Sequence, residues 1–179
     1  NTLNFIRGRD PVSGGNRINM LSDIVHSSPI FFEDIVYFGA NDGMLHAHLA
    51  KDGTELFAYV PYLVFDHLKD LADTDYDHKF YVDATPTVQK GKDLLYPGGE
   101  QTLLVSGLGA GGRGVFALNV TLPGSMTKNN VLWEFPIKDT AAEDQNDMGY
   151  SYSRPVVVKS YNKSYPWVVI FGNGYNSPN

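Results

Sequence analysis

The steps Ser28-Pro29, Thr85-Pro86 and Arg154-Pro155 each open a copy of one pattern, 57 and then 69 residues apart. A short apolar or β-branched run follows each proline: Ile30-Phe31-Phe32, Thr87-Val88-Gln89 and Val156-Val157-Val158. A second apolar run comes next, at 34–38, 102–105 and 167–171, and ends in a glycine loop, GANDG at 39–43, GLGAGGRG at 107–114 and GNGYNS at 172–177. The first two copies continue into a third run (44–48 and 115–120) and a fourth (55–60 and 131–135). Four short strands per unit, repeated, predict an all-β chain: part of a quinoprotein-like β-propeller with two complete blades and part of a third. Such repeats cannot bury their faces alone, so function is expected from an array of blades.

The division that follows is a lead-in segment at 1–22, blade units at 23–60 and 79–136, and a loop with a truncated third unit at 137–179. Within the lead-in, residues 3–6 read as a strand. Between the first two units, 61–78 reads as an insertion. Pro61 suits a first helical position, and Val64, Phe65, Leu68 and Leu71 recur at helical spacing, which predicts one helix over 61–72 with its apolar stripe on the sheet. The acidic stretch 139–147 reads as an exposed loop. The chain starts at Asn1 and stops inside its third unit, so it is expected to be a piece of a longer polypeptide. A blade face without its neighbour leaves on the order of 400 Å² of apolar surface uncovered, about 10 kcal/mol of unrealised burial. Missing parts of the same propeller are therefore expected partners.

Composition narrows the function classes. A net charge of −6 with singly scattered Lys and Arg lacks the clustered basic face that nucleic acid requires. The apolar runs are too short to span a bilayer, so no membrane insertion is expected. With no cysteine, disulfides and thiolate metal sites are excluded.

Several motifs invite chemistry. Gly107, Gly109 and Gly112 spell GxGxxG, but a dinucleotide fingerprint must open a helix, and 115–120 is strand-like. The glycines read instead as turn residues, as do Gly39, Gly43, Gly172 and Gly174; Asn41-Asp42-Gly43 supplies a tight hairpin. His46 and His48, two apart on a strand, share a face and could chelate a metal, yet the segment offers no evident further ligand, so a half-exposed strand face is expected. Asp73, Asp75 and Asp77 resemble a calcium loop without its glycine at position six or its acid at twelve, and Asp144, Asn146 and Asp147 have the same defect. His26 and Asp83 occupy equivalent places, three residues before the proline, and read as hydrogen-bonded struts. Ser27, Ser28 and Ser153 sit in the strand-entry turns, with no cysteine nucleophile and no GxSxG elbow. No catalytic, cofactor or metal residue is expected, and Arg7-Gly8-Arg9-Asp10 is not the RGD tripeptide.

The runs DIVHSSP (23–29), VYFGANDGMLHA (36–47), FAYVP (57–61), LLVSGLGAGGRGVFALNVT (103–121), VLWEFP (131–136), MGYSYSRP (148–155) and VVIFGNGYNS (168–177) resemble the C-terminal propeller of the PilY/PilC-type tip-associated factors of type IV pili. The likeness covers nearly the whole chain. It implies an extracellular or outer-membrane-associated protein of a Gram-negative bacterium that supports pilus assembly, opposes retraction and contributes to surface adhesion. The implied partners are pilin or minor pilin subunits and a host or abiotic surface. The family's calcium loop lies in a later blade, so the resemblance places no calcium ligand on any residue here. His48 departs from the family, which more often has an aromatic residue there. Two other functions compete: a quinone-dependent dehydrogenase, which would need an acid base, a calcium-binding Glu/Asn set and an aromatic floor, and a generic protein-interaction propeller.

Overall fold

The computed structural model describes residues 2–10, 13–17, 20–73, 75–136 and 147–177. Two four-stranded antiparallel sheets and a two-stranded one carry the chain. Blade 1 is β1 (Ile30–Phe32), β2 (Ile35–Gly39), β3 (Leu45–Leu49) and β4 (Glu55–Tyr59), each paired with the next. Blade 2 repeats that order with β5 (Thr87–Lys92), β6 (Glu100–Gly107), β7 (Val115–Asn119) and β8 (Val131–Phe135). Blade 3 shows β9 (Val156–Lys159) paired with β10 (Trp167–Ile170). Every pairing is antiparallel, as the all-β propeller reading requires.

The blades stack through alternate faces. In blade 1, Tyr37, Leu45 and Ala47 point toward blade 2 and join Tyr81, Val82, Leu104, Phe116 and Leu118 in one core. In blade 2, the other face presents Leu103, Val105, Val115 and Ala117 to Met148 and Val157 of blade 3 in a second core. Both faces of β6 and β7 are thus buried, which is why Leu103-Leu104-Val105 is continuously apolar rather than alternating. The repeat offset reappears in space: Ser28 N donates to Thr85 Oγ1 at 2.9 Å, and Lys90 Nζ meets Glu33 Oε1 at 2.7 Å, each pair 57 residues apart.

Two local expectations change. Residues 3–6 are not a strand but part of a short α-helix, α1 (Thr2–Ile6), which packs beside the inserted segment. Its Leu3 and Ile6 line a cavity together with Phe65 and Leu68, so the apolar pair covers a neighbour at helical spacing instead of pairing a sheet edge. The insertion itself is helical but not α: it folds as two 3₁₀ turns, Tyr62–Val64 and Leu68–Ala72, with i→i+3 bonds such as Val64 N to Pro61 O and Asp70 N to His67 O. The tighter winding keeps Val64, Leu68 and Leu71 on the core while Phe65 is half exposed. Its start is capped from blade 2, where the Glu134 carboxylate accepts from Tyr62 N at 2.9 Å and Leu63 N at 3.1 Å. That carboxylate also accepts a short bond from Tyr59 Oη. Burial pushes the Glu134 carboxyl up, against the pull of its hydrogen bonds from Tyr59 and Leu63.

Candidate functional site

Among the described residues, side chains with chemical capacity gather in two places. The first lies where the inner strands β1, β5 and β9 begin, a cleft of about 250 Å³ lined by His26, Ser28, Asp83, Thr85, Tyr152 and Arg154. Its centre is the Asp83 carboxylate, buried, which accepts the His26 backbone N–H at 3.1 Å and lies 2.6 Å from His26 Nδ1. Around it the bonds are inter-blade latches: Thr87 Oγ1 donates to Pro155 O at 2.6 Å and receives Arg154 Nε at 3.1 Å. Ser27 and Ser153, at equivalent positions, accept the N–H of Gly39 (2.8 Å) and Gly172 (2.7 Å), the glycines that end β2 and follow β10. In blade 2 the equivalent residue is Ala84, and Ser151 takes over, accepting Leu108 N at 2.8 Å and donating to Gly114 O at 2.6 Å. His26 and Asp83 are thus brought together as a strut between blades, within a ring of serine and threonine latches.

The second place is the face of blade 1 turned away from blade 2. His46 and His48 alternate outward from β3, and the hairpin pairs His48 with Glu55 on β4. His46 is buried; its Nε2 faces both oxygens of Asp42 at 3.0 and 3.2 Å, and its Nδ1 faces Glu55 Oε2 at 3.0 Å. Burial alone would lower the His46 pKa, but the hydrogen bonds and charges of Asp42 and Glu55 outweigh it and hold it above the usual histidine value. His48 Nδ1 bonds Gly53 O at 2.9 Å, while its Nε2 is shielded from solvent without a hydrogen bond among the described residues, 3.5 Å from Glu55 Oε2. Phe38, opposite His46 on β2, stacks on both imidazoles at 5.4 and 5.3 Å between centroids. His46, His48 and Glu55 line a largely apolar cavity of about 1160 Å³ shared with α1, Met20, Leu21 and Phe65. Glu55 is the residue that the sequence reading left out. Its signal was the hairpin register, since a strand reversal over 50–54 sets position 55 across from 48.

The remaining motifs have plain placements. Asp73, Asp75 and Asp77 are exposed, and Asp73 Oδ1 caps Asp75 N at 3.1 Å in a local turn. Asp139, Asp144 and Asn146 lie outside the described residues; Asp147 O accepts Asn173 Nδ2 at 2.5 Å. After the GxGxxG run comes β7, a strand and not a helix. Within that loop the tightest glycine is one the sequence did not single out. A Cβ on Gly111 would lie 1.7 Å from Tyr81 O, whereas Gly112 has extended backbone at φ 164° and meets only the tip of Leu108. Gly109 carries a positive φ of 61°, and Gly39 and Gly107 face backbone carbonyls of Val82 and Ser151.

Residues 24–179 match the family model described as the PilY1 β-propeller domain. The chain belongs to that family. It is 48% identical over 144 residues to a type IV pilus biogenesis factor PilY1 homolog of Xylella fastidiosa, covering 80% of this chain and 9% of that protein. The type IV pilus biogenesis factor PilY1 of Pseudomonas aeruginosa (strain UCBPP-PA14) is 37% identical across 99% of this chain and 17% of its own length. The crystal structure of the Pseudomonas aeruginosa PilY1 C-terminal domain superposes with a TM-score of 0.57 at 39% identity, covering 80% of this chain and 25% of that one. The chain therefore spans less than a fifth of the length of these curated relatives. Among the described residues no helix is long and apolar enough to cross a membrane.

Proposed function

We propose that this chain is a structural and binding module of a type IV pilus biogenesis factor, displayed at the surface of a Gram-negative cell, where it supports pilus assembly, retraction control and surface adhesion. Family membership supports the pilus role. The observation that carries the module reading is the latch ring: the polar side chains at the inner-strand starts bond neighbouring blades or their own glycine loops. Groups spent in this way set blade geometry, so the reading assigns them no turnover. In this reading the contacts of the propeller are made by its loops to pilin or minor pilin subunits, and the open apolar face of blade 1 docks further polypeptide of the same propeller.

The test is complementation of a strain deleted for the gene, with variant protein quantified by immunoblot. Gly111→Val, which forces the blade 2 loop off the Tyr81 backbone, lowers surface piliation and twitching motility together with protein level. His26→Ala, whose side chain is largely exposed, leaves both near wild type. A stable Asp83→Ala protein that abolished piliation at normal abundance would restore a chemical role to the cleft and sink the structural reading.

A further inference from the structure

Blades 1 and 2 are copies, and their register permits a position-by-position comparison. Gly39 pairs Leu45 as Gly107 pairs Val115, and both sheets carry the same irregularity, between Ala47 and His48 and between Ala117 and Leu118. His46 therefore corresponds to Phe116, His48 to Leu118, and Glu55, which pairs His48, to Val131, which pairs Leu118. In blade 2 these three residues are apolar and pack into the core shared with blade 1. In blade 1 the same three places hold two imidazoles and a carboxylate.

The geometry of these three groups goes beyond mutual hydrogen bonding. A ligand atom from each of His46, His48 and Glu55 lies within 4.8 Å of the others, with 3.0 Å from His46 Nδ1 and 3.5 Å from His48 Nε2 to Glu55 Oε2. Zinc bonds of about 2.0–2.2 Å in a tetrahedron put neighbouring ligands roughly 3.2–3.5 Å apart. Each imidazole is also oriented from behind. Asp42 holds His46 Nε2 and the Gly53 carbonyl holds His48 Nδ1, so the opposite nitrogens face Glu55. A carboxylate or carbonyl bonded to the far nitrogen is the usual outer-shell partner of a metal-bound histidine. The shielded His48 Nε2, with no hydrogen bond among the described residues, is the atom a metal would satisfy.

We propose that His46 Nδ1, His48 Nε2 and Glu55 Oε2 form a three-ligand site for a divalent transition-metal ion of the zinc class. Its remaining coordination position opens on the apolar cavity, where water or a donor from polypeptide covering that face completes the tetrahedron. Two nitrogen ligands and one oxygen suit zinc and its neighbours and exclude calcium, which takes six to eight oxygens. The site ties β3 to β4 at the outer edge of blade 1. It is independent of the pilus reading, because zinc uptake is measured on purified protein.

The experiment uses the natural-length protein, freed of transition metals by chelator and kept in calcium-containing buffer, titrated with zinc chloride by calorimetry. Wild type takes up one more zinc equivalent than either His48→Leu, the residue blade 2 has in that place, or Glu55→Gln. His78→Ala, which removes a half-exposed histidine that faces Asp23 and none of the three ligands, retains the wild-type count. Asp42→Asn keeps the ligands and weakens the site about 10–100-fold. Cobalt(II) in place of zinc gives the intense visible absorption of a four-coordinate ion in wild type and loses it in His48→Leu. Circular dichroism confirms that each variant is folded. Equal zinc stoichiometry and affinity in wild type, His48→Leu and Glu55→Gln would overturn the proposal, as would a wild-type cobalt spectrum like that of the hydrated ion.

Discussion

Replacing Gly111 by alanine tests the packing of the blade 2 loop, because the neighbouring Gly112 provides its own control. The added Cβ at position 111 would stand 1.7 Å from Tyr81 O, 2.3 Å from Tyr81 C and 2.6 Å from its Cα. All three are backbone atoms of the strap 80–83, the segment that precedes β5, so no side-chain rotation relieves the clash, and loop and strap must separate by roughly 1.5 Å to reach ordinary contact. The strap is pinned by Asp83 N to Leu108 O at 3.1 Å and by Tyr81 N to Asn41 Oδ1 at 3.1 Å, bonds that a displacement of that size stretches beyond use. Overpacking costs about 1–3 kcal/mol, and one or two lost hydrogen bonds add about 1 kcal/mol each, giving about 2–5 kcal/mol in all. For a domain of this size that lowers the melting temperature by about 4–20 °C. Gly112→Ala meets only Leu108 Cδ1, at 2.8 Å, from an extended backbone, and its cost stays under about 1 kcal/mol. Pulse proteolysis in urea, applied to both variants of the natural-length protein, measures the difference. If Gly111→Ala is no more than 1 kcal/mol worse than Gly112→Ala, the loop–strap contact is not what holds these blades and the reasoning fails.

Glu134→Ala leaves Tyr59 Oη and two backbone N–H groups without their acceptor; a loss of about 2–4 kcal/mol and early protease cutting within 61–73 are expected. Asp23 is a pH probe: burial would raise its pKa, but bonds from Asn41, His78 and Ser22 hold it at about 2, against 3.8 for the free group. Because the folded value lies below the unfolded one, this stabilisation is present above about pH 4 and is lost as pH falls toward 2. The full shift is worth about 2.4 kcal/mol, and with the side chain 46% exposed, screening reduces it to about 1 kcal/mol. Asp23→Asn should therefore be less stable than wild type at pH 6 in urea titrations and indistinguishable near pH 2. Calorimetry of Asp75→Ala should match wild type in calcium uptake, since the run 73–77 lacks the ligand geometry of a calcium loop; a lost micromolar site would refute this.

The blade pattern was legible because period-2 strands, proline steps and glycine loops are local properties, and copying them three times left a repeat that no single-unit fold explains. His26 and Asp83 were visible as equivalent positions for the same reason, and their contact followed once equivalent strands lay side by side. Residues 3–6 were misread because four apolar or polar residues carry too little period to separate helix from strand. Only the cavity beside Phe65 and Leu68 decided that they cover a neighbour as a helix. The 61–72 spacing indicated a helical insertion, but its first turn is capped by Glu134, more than sixty residues away, a contact no local pattern shows. Likewise the sequence marks many glycines alike. Which of them tolerates a side chain depends on whether a backbone carbonyl from outside its own loop sits against it, as Tyr81 O does at Gly111. The His46, His48 and Glu55 cluster divides in the same way: strand alternation put the two histidines on one face, a statement about one segment. Bringing Glu55 and Asp42 to opposite nitrogens of one imidazole required the hairpin register and the bulge, which exist only when the sheet has formed.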